Sequence, residues 1–191
     1  MPVDHIWMFP NKPSRLWNIS SKIVLSLVGS TSKLWTDCLN SFNIVNKDVL
    51  YDAIENRPVN QGLVTVSNHY SCIDEPVLWG RVNLSKEFMR LKWGVGRLIA
   101  DCNNNSLVLP IWLVGMDSIL PNKKPYIPKI GKTVTVLIGE PIQFKSDVQQ
   151  LQNAGKNARE IRKYITDRIQ DEFRHMKIKA ERIHHESLYR S

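Results

Sequence analysis

Apolar side chains recur along the chain in two rhythms, and each predicts a kind of element. Over residues 14–40 they come at helical spacing, with Leu16, Ile19, Ile23, Leu27 and Leu34 among them, so this stretch reads as a helix bent at Gly29. Over 157–185 the stripe Ile161, Ile165, Ile169, Phe173, Met176, Ala180 and Ile183 advances in steps of four and three, the signature of a long amphipathic helix. Short apolar runs at 63–66, 107–114 and 133–138, with a briefer one at 42–46, read as strands. Further helices are predicted over 47–56, from 74 to 79, and over 86–102, where Phe88, Leu91, Val95, Leu98 and Ile99 share a face. Strands interleaved with helices predict an α/β domain. Residues 1–13 carry three prolines and read as an extended lead-in.

The N-terminal stretch is apolar without reaching the length that spans a bilayer. Its densest run, at 23–29, is too short and is flanked by polar residues. The first ten residues contain Asp4 and neither Lys nor Arg, which argues against a cleaved signal peptide. Trp17 and Trp35 stand near the two ends of the apolar segment. Indole favours the membrane–water boundary, because its ring is apolar and its N–H wants a partner. Residues 1–41 are therefore expected to form a membrane-associating segment lying in one leaflet, with an amphipathic helix packed on the domain as the plainer alternative. Residues 42–191 are expected to form the folded domain.

Composition narrows the classes further. Of 191 residues, 42% are hydrophobic and 23% charged, ordinary globular usage that excludes a disordered tail, a collagen-like chain and a coiled-coil rod. Three widely spaced cysteines, Cys38, Cys72 and Cys102, argue against a disulfide framework and a paired-cysteine zinc site. The net charge is +8. Such a surface suits anionic lipid or nucleic acid, and no recognised nucleic-acid motif accompanies it.

The sharpest chemistry lies at 68–76, Asn-His-Tyr-Ser-Cys-Ile-Asp-Glu-Pro, directly after a buried strand. That is where reactive groups of α/β sheets gather. His69 can take up a proton near neutral pH. Asp74, five residues on, can turn back on it if a helix begins between them, hold the ring tautomer and favour the imidazolium that forms. A substrate hydroxyl then serves as nucleophile. Other chemistries fit less well. His69, Cys72 and Asp74 lack the further ligands that a zinc site needs. Ser71 has no Gly-x-Ser-x-Gly elbow around it. Gly94-Val95-Gly96 sits in a helical stretch without the third glycine of a dinucleotide loop, so close packing is its better account.

The string "VSNHYSCIDEPVLWG" resembles the first motif of the glycerolipid acyltransferase superfamily, and the likeness extends over residues 1 to about 185. It implies an α/β fold with a mixed sheet flanked by helices. It implies a phospholipid–lysophospholipid transacylase that remodels cardiolipin acyl chains without coenzyme A. Its setting would be a mitochondrial membrane facing the intermembrane space, and its substrates cardiolipin and phosphatidylcholine. No metal or other cofactor is implied. By this resemblance His69 and Asp74 are catalytic. Leu109-Pro110-Ile111-Trp112 is similar to the family's last motif, on a strand that lines the acyl groove, so Pro110 is expected at the substrate.

One departure stands out. Relatives place further strands after the histidine motif, leading to a Phe-Pro-Glu-Gly segment that helps bind the acceptor's phosphate. Here Leu78-Trp79-Gly80 runs straight into Arg81-Val82-Asn83. The acyltransferase-like domain is thus expected to lack internal strands near the 80/81 join, with Gly80 and Arg81 as the remaining phosphate-site candidates. An arginine fork matches phosphate oxygens. Weak or absent transacylase activity is the expected consequence, and a non-catalytic lipid-binding or partner-binding form is the alternative.

Overall fold

The structure, a computed structural model, describes residues 14–69, 88, 91, 94–101, 106–121, 124 and 127–189. The chain divides into two units, Met1–Leu39 and Asn40–Ser191, against the 41/42 boundary expected above.

In the first unit, helix α1 spans Arg15–Leu34. Ser14 caps it, its hydroxyl accepting the Trp17 N–H at 3.2 Å, which satisfies one of the orphan donors of a first turn. Helical hydrogen bonding runs through Gly29, and the irregularity falls later, in a π-helical turn at Trp35–Leu39. No α1 residue is buried. At about 100° per residue, Arg15, Lys22 and Lys33 line up on one side, and Trp17, Val24 and Val28 on the other. Ser20 and Thr31 fall within the apolar side. Their hydroxyls are turned back onto the helix, Ser20 donating to Trp17 O at 3.0 Å and Thr31 to Leu27 O at 2.8 Å. No described helix is long and apolar enough to cross a membrane.

The second unit is a mixed sheet between helices. Its strands are β1 (Ser41–Val45), β2 (Gly62–Ser67), β3 (Ser106–Val114), β4 (Thr133–Ile138) and β5 (Ile142–Gln143). They run in the order β1-β4-β3-β2, with β5 also on β3. β1 is parallel to β4, β4 antiparallel to β3, and β3 parallel to β2. The starts of β1 and β4 therefore share one edge with the ends of β2 and β3.

Alternation along β3 sorts its side chains between two cores. Leu107 and Leu109 join Ala53 and Ile138 on the face covered by α2 (Lys47–Glu55). Val108 and Trp112 point the other way. Val108 meets Ile161, Ile165 and Ile169 of a long helix at Ala158–Tyr189, and Trp112 meets Phe173 and Met176 of the same helix. Between these elements lie α3 (Gly94–Asp101), α4 (Met116–Ile119) and α5 (Lys145–Asn153), so the long helix is α6. The predicted apolar stripe of α6 is its buried face, and the helix runs to Tyr189, four residues beyond the expected end at 185.

Two expectations change. Only Gly94–Asp101 of the helix predicted over 86–102 is helical among the described residues, and Phe88 and Leu91 lie outside helix. Tertiary contacts hold these two. Phe88 stacks on Trp112 with ring centroids 6.1 Å apart, and the Leu91 N–H donates to Gln170 Oε1 of α6 at 3.1 Å. The glycines at 94 and 96 add no helical propensity to oppose them. Gly96 serves close packing: a Cβ there would run into Arg162 O and Thr166 Oγ1 of α6. Elsewhere α5 and β5, which the apolar pattern did not announce, fill the link between β4 and α6. The extended lead-in expected over 1–13 and the helix expected over 74–79 lie outside the described residues.

Candidate active site

His69 stands two residues past the end of β2, partly buried. What fixes it there is the residue before it. β2 pairs with β3 as far as Ser67↔Ile111. Beyond that point Leu113 still turns its N–H and C=O toward β2, with no backbone partner. The Asn68 side chain takes both. Nδ2 donates to Leu113 O at 2.9 Å, and Leu113 N–H donates to Oδ1 at 2.7 Å. A primary amide carries the same donor–acceptor pair as a peptide, so it continues the ladder for one more step while the main chain leaves the sheet. Sequence reading singled out Asn68 as part of the motif but gave it no role. The signal was an amide at the end of a strand; that strand, expected to be buried, is half-buried in the structure, with Gly62 and Thr65 exposed.

The other predicted site residues divide sharply. Asp74, Gly80 and Arg81 lie outside the described residues, as do Ser71 and Cys72. Pro110 is buried in the middle of β3, where a proline needs a gap in the ladder. β3 supplies one. Ile111 faces Ile138 of β4, and Val108 faces Ile142 of β5, so three steps on β3 are matched by four on its partner. The extra residue makes a bulge at Gly139 and Glu140. Pro110, on that side, offers only its carbonyl, which accepts the Gly139 N–H at 2.9 Å. Its ring lies so close that a Cβ on Gly139 would stand 2.8 Å from Pro110 Cγ.

An aromatic layer lies behind β3. Trp112 meets Phe173 edge-on at 5.3 Å and stacks on Phe88, whose other neighbour is the Arg174 guanidinium, 5.4 Å from the ring centre. Arg174 also pairs with Asp171. Together with Asp167 and Gln170 these two α6 residues line a cleft of about 420 Å³.

A second histidine occupies the same edge of the sheet as His69. His184 of α6 shares a hydrogen bond with Thr135 Oγ1 of β4 at 3.0 Å. It packs on Gly115, where φ is +94° and a Cβ would meet the imidazole Cε1 at 2.9 Å. Burial pushes the His184 pKa down, Asp117 opposes that shift, and neighbouring His185 adds to it. Sequence reading placed His184 only on the terminal helix. Among the described residues, no three His, Cys, Asp or Glu side chains converge as a metal site would require.

Comparison with known proteins gives this geometry a family. No family model matches the chain. Tafazzin of Drosophila melanogaster is 31% identical over 259 aligned positions, covering 97% of this chain and 68% of the relative. N-acylphosphatidylethanolamine synthase of Arabidopsis thaliana is 22% identical, covering 70% of this chain and 74% of the relative. Taffazin of Dictyostelium discoideum is 21% identical, with coverage of 80% and 85%. Since 97% of 191 residues is about 185, about 74 of the 259 positions aligned with the fly protein have no residue of this chain. That shortfall lies inside the aligned region, as a short form requires. The chain is an acyltransferase-type protein and belongs to the tafazzin family, within a wider group of phospholipid acyltransferases.

Proposed function

We propose that the chain binds a membrane phospholipid and moves its acyl group to the hydroxyl of a lysophospholipid, without coenzyme A, in the remodelling of cardiolipin. His69 is the base. As the acceptor oxygen attacks the ester carbonyl, the imidazole takes the hydroxyl proton, and it returns that proton to the departing lysophospholipid oxygen when the tetrahedral intermediate collapses. Asp74 orients the ring and offsets the imidazolium charge. Arg81 and Gly80 hold the acceptor phosphate, and Pro110 belongs to the acyl-chain side. The observation that carries this reading is the position of His69, at a strand end tied to β3 by Asn68, in a chain of this family.

Residues 1–41 hold the protein on the surface of a mitochondrial membrane facing the intermembrane space, without crossing it. The amphipathic build of α1 supports surface attachment: three aligned cations oppose an apolar side whose two hydroxyls are bonded internally. The absence of the Phe-Pro-Glu-Gly segment lowers turnover, because a base acting on an unpositioned acceptor loses much of the proximity contribution, up to ~7–11 kcal/mol in favourable cases.

The test is acyl exchange between labelled phosphatidylcholine and lysocardiolipin on vesicles. Low turnover that His69→Ala abolishes, with an unchanged circular dichroism spectrum, supports the proposal. Equal turnover in both proteins overturns it. The 74-position shortfall favours a second reading, a lipid-binding form without catalysis, and vesicle flotation with no exchange in either protein selects it.

A further inference from the structure

The edge of the sheet that carries His69 also carries the start of β1, where residues 1–39 join the domain, and the start of β4. Across the order β1-β4-β3-β2, three strand spacings separate Asn40 from His69, roughly 14 Å at ordinary spacing. The loop leading into β4 lies at this edge and is anchored from both sides. Lys129 N–H donates to Ile119 O at 2.7 Å, Ser41 N–H donates to Lys132 O at 2.9 Å, and Lys132 N–H donates to Asn40 Oδ1 at 3.1 Å. Held in this way, the loop still exposes two large apolar side chains. Ile127 and Ile130 are each 62% exposed, on either side of an exposed Lys129.

Charge points to what covers them. Between Asp117 and Glu140 the sequence has four lysines and no acid. Apolar side chains set among lysines on a loop hydrogen-bonded at Lys129 and Lys132 match the layered chemistry of an anionic bilayer, hydrocarbon beneath phosphate. We propose that this edge is the membrane-facing surface of the domain. Ile127 and Ile130 enter the headgroup layer, Lys124 and Lys129 meet lipid phosphates, and His69 is thereby turned toward the surface from which lipid must come. This inference rests on the membrane phospholipid substrate proposed above and adds the domain's orientation on the membrane.

The test places an environment-sensitive fluorophore at residue 130, or at residue 59 as control, in a Cys38→Ser, Cys72→Ser, Cys102→Ser background. Val59 is fully exposed and precedes the start of β2, at the opposite edge. With vesicles of equal phosphatidylcholine and phosphatidylglycerol, the probe at 130 should shift to the blue and the probe at 59 should not. Inorganic phosphate should move neither. Lys124→Gln and Lys129→Gln should weaken vesicle affinity about fivefold each. A silent probe at 130 on a chain that floats with vesicles overturns the orientation and leaves membrane attachment through residues 1–41 intact. A chain that does not float overturns both. Should the cysteine-free protein fail to fold, hydrogen exchange on the unaltered chain decides: vesicle-induced protection at 127–132 but not at 57–61 supports the proposal, and equal or reversed protection overturns it.

Discussion

Asn68 and Leu113 exchange two hydrogen bonds, at 2.9 and 2.7 Å, across the point where β2 leaves the sheet. The side chain stands in for a residue of strand. Asn68→Ala therefore strands both backbone groups of Leu113 and loosens the segment that begins with His69. A loss of about 1–3 kcal/mol in urea unfolding is expected. Asn68→Asp keeps an acceptor for the Leu113 N–H but sets a carboxylate against the Leu113 carbonyl, so it should recover no more than part of that loss. Equal stability of all three proteins would remove the tie from the account.

At Gly96 the obstacle is backbone, because Arg162 O stands where a side chain would go. Gly96→Ala should force α3 away from α6 at a cost of about 1–3 kcal/mol. Thermal unfolding of the variant measures it. The exposed helical Gly29, with nothing within 4 Å of its would-be Cβ, should instead accept alanine with a gain of up to about 1 kcal/mol.

The His184 contact makes stability depend on pH in a defined direction. Burial is the largest influence on this imidazole and lowers its pKa below the ordinary 6.5, with Asp117 opposing and His185 assisting. Between the folded value and 6.5, the unfolded chain binds more protons than the folded one, so stability rises with pH through that window. The contribution is fully present above 6.5 and is lost as pH falls through the folded pKa. Urea midpoints taken from pH 7.5 down to 5 should decline, and His184→Gln should flatten the decline. An unchanged slope in the variant would assign the effect to other groups.

Restoring what the chain lacks should restore turnover. Inserting the corresponding fly segment between Gly80 and Arg81 should raise acyl exchange at least a hundredfold over the short chain, in keeping with the size of proximity effects. His69→Ala in the extended protein should then return it to background. A gain that survives His69→Ala would mean that another group is the base.

The parts of the fold that were legible are those where burial and periodicity coincide. Strand β4 runs over the predicted 133–138, because four of its six residues are buried and none is exposed. The α6 stripe emerged the same way. Helix α5 was missed because Lys145–Asn153 is mostly polar and hides only Val148, leaving no period to read. Phe88 and Leu91 were misassigned because Trp112 and Gln170, distant in sequence, override their local helical spacing. At the candidate site, the position of His69 just after a strand was legible from the apolar run that precedes it. Asn68 was not, since a side chain that imitates backbone leaves no trace in hydropathy.

The proline of β3 has one more consequence. With no N–H to give and two residues opposite it, Pro110 tolerates only one alignment of β3 against the β4–β5 arm. Sliding that arm by a single step would aim a carbonyl at the pyrrolidine ring and turn its inward residues outward. The bulge thus works as a detent: strands that collapse together out of step meet a mismatch there, and refolding should deliver one sheet rather than a mixture of slipped pairings.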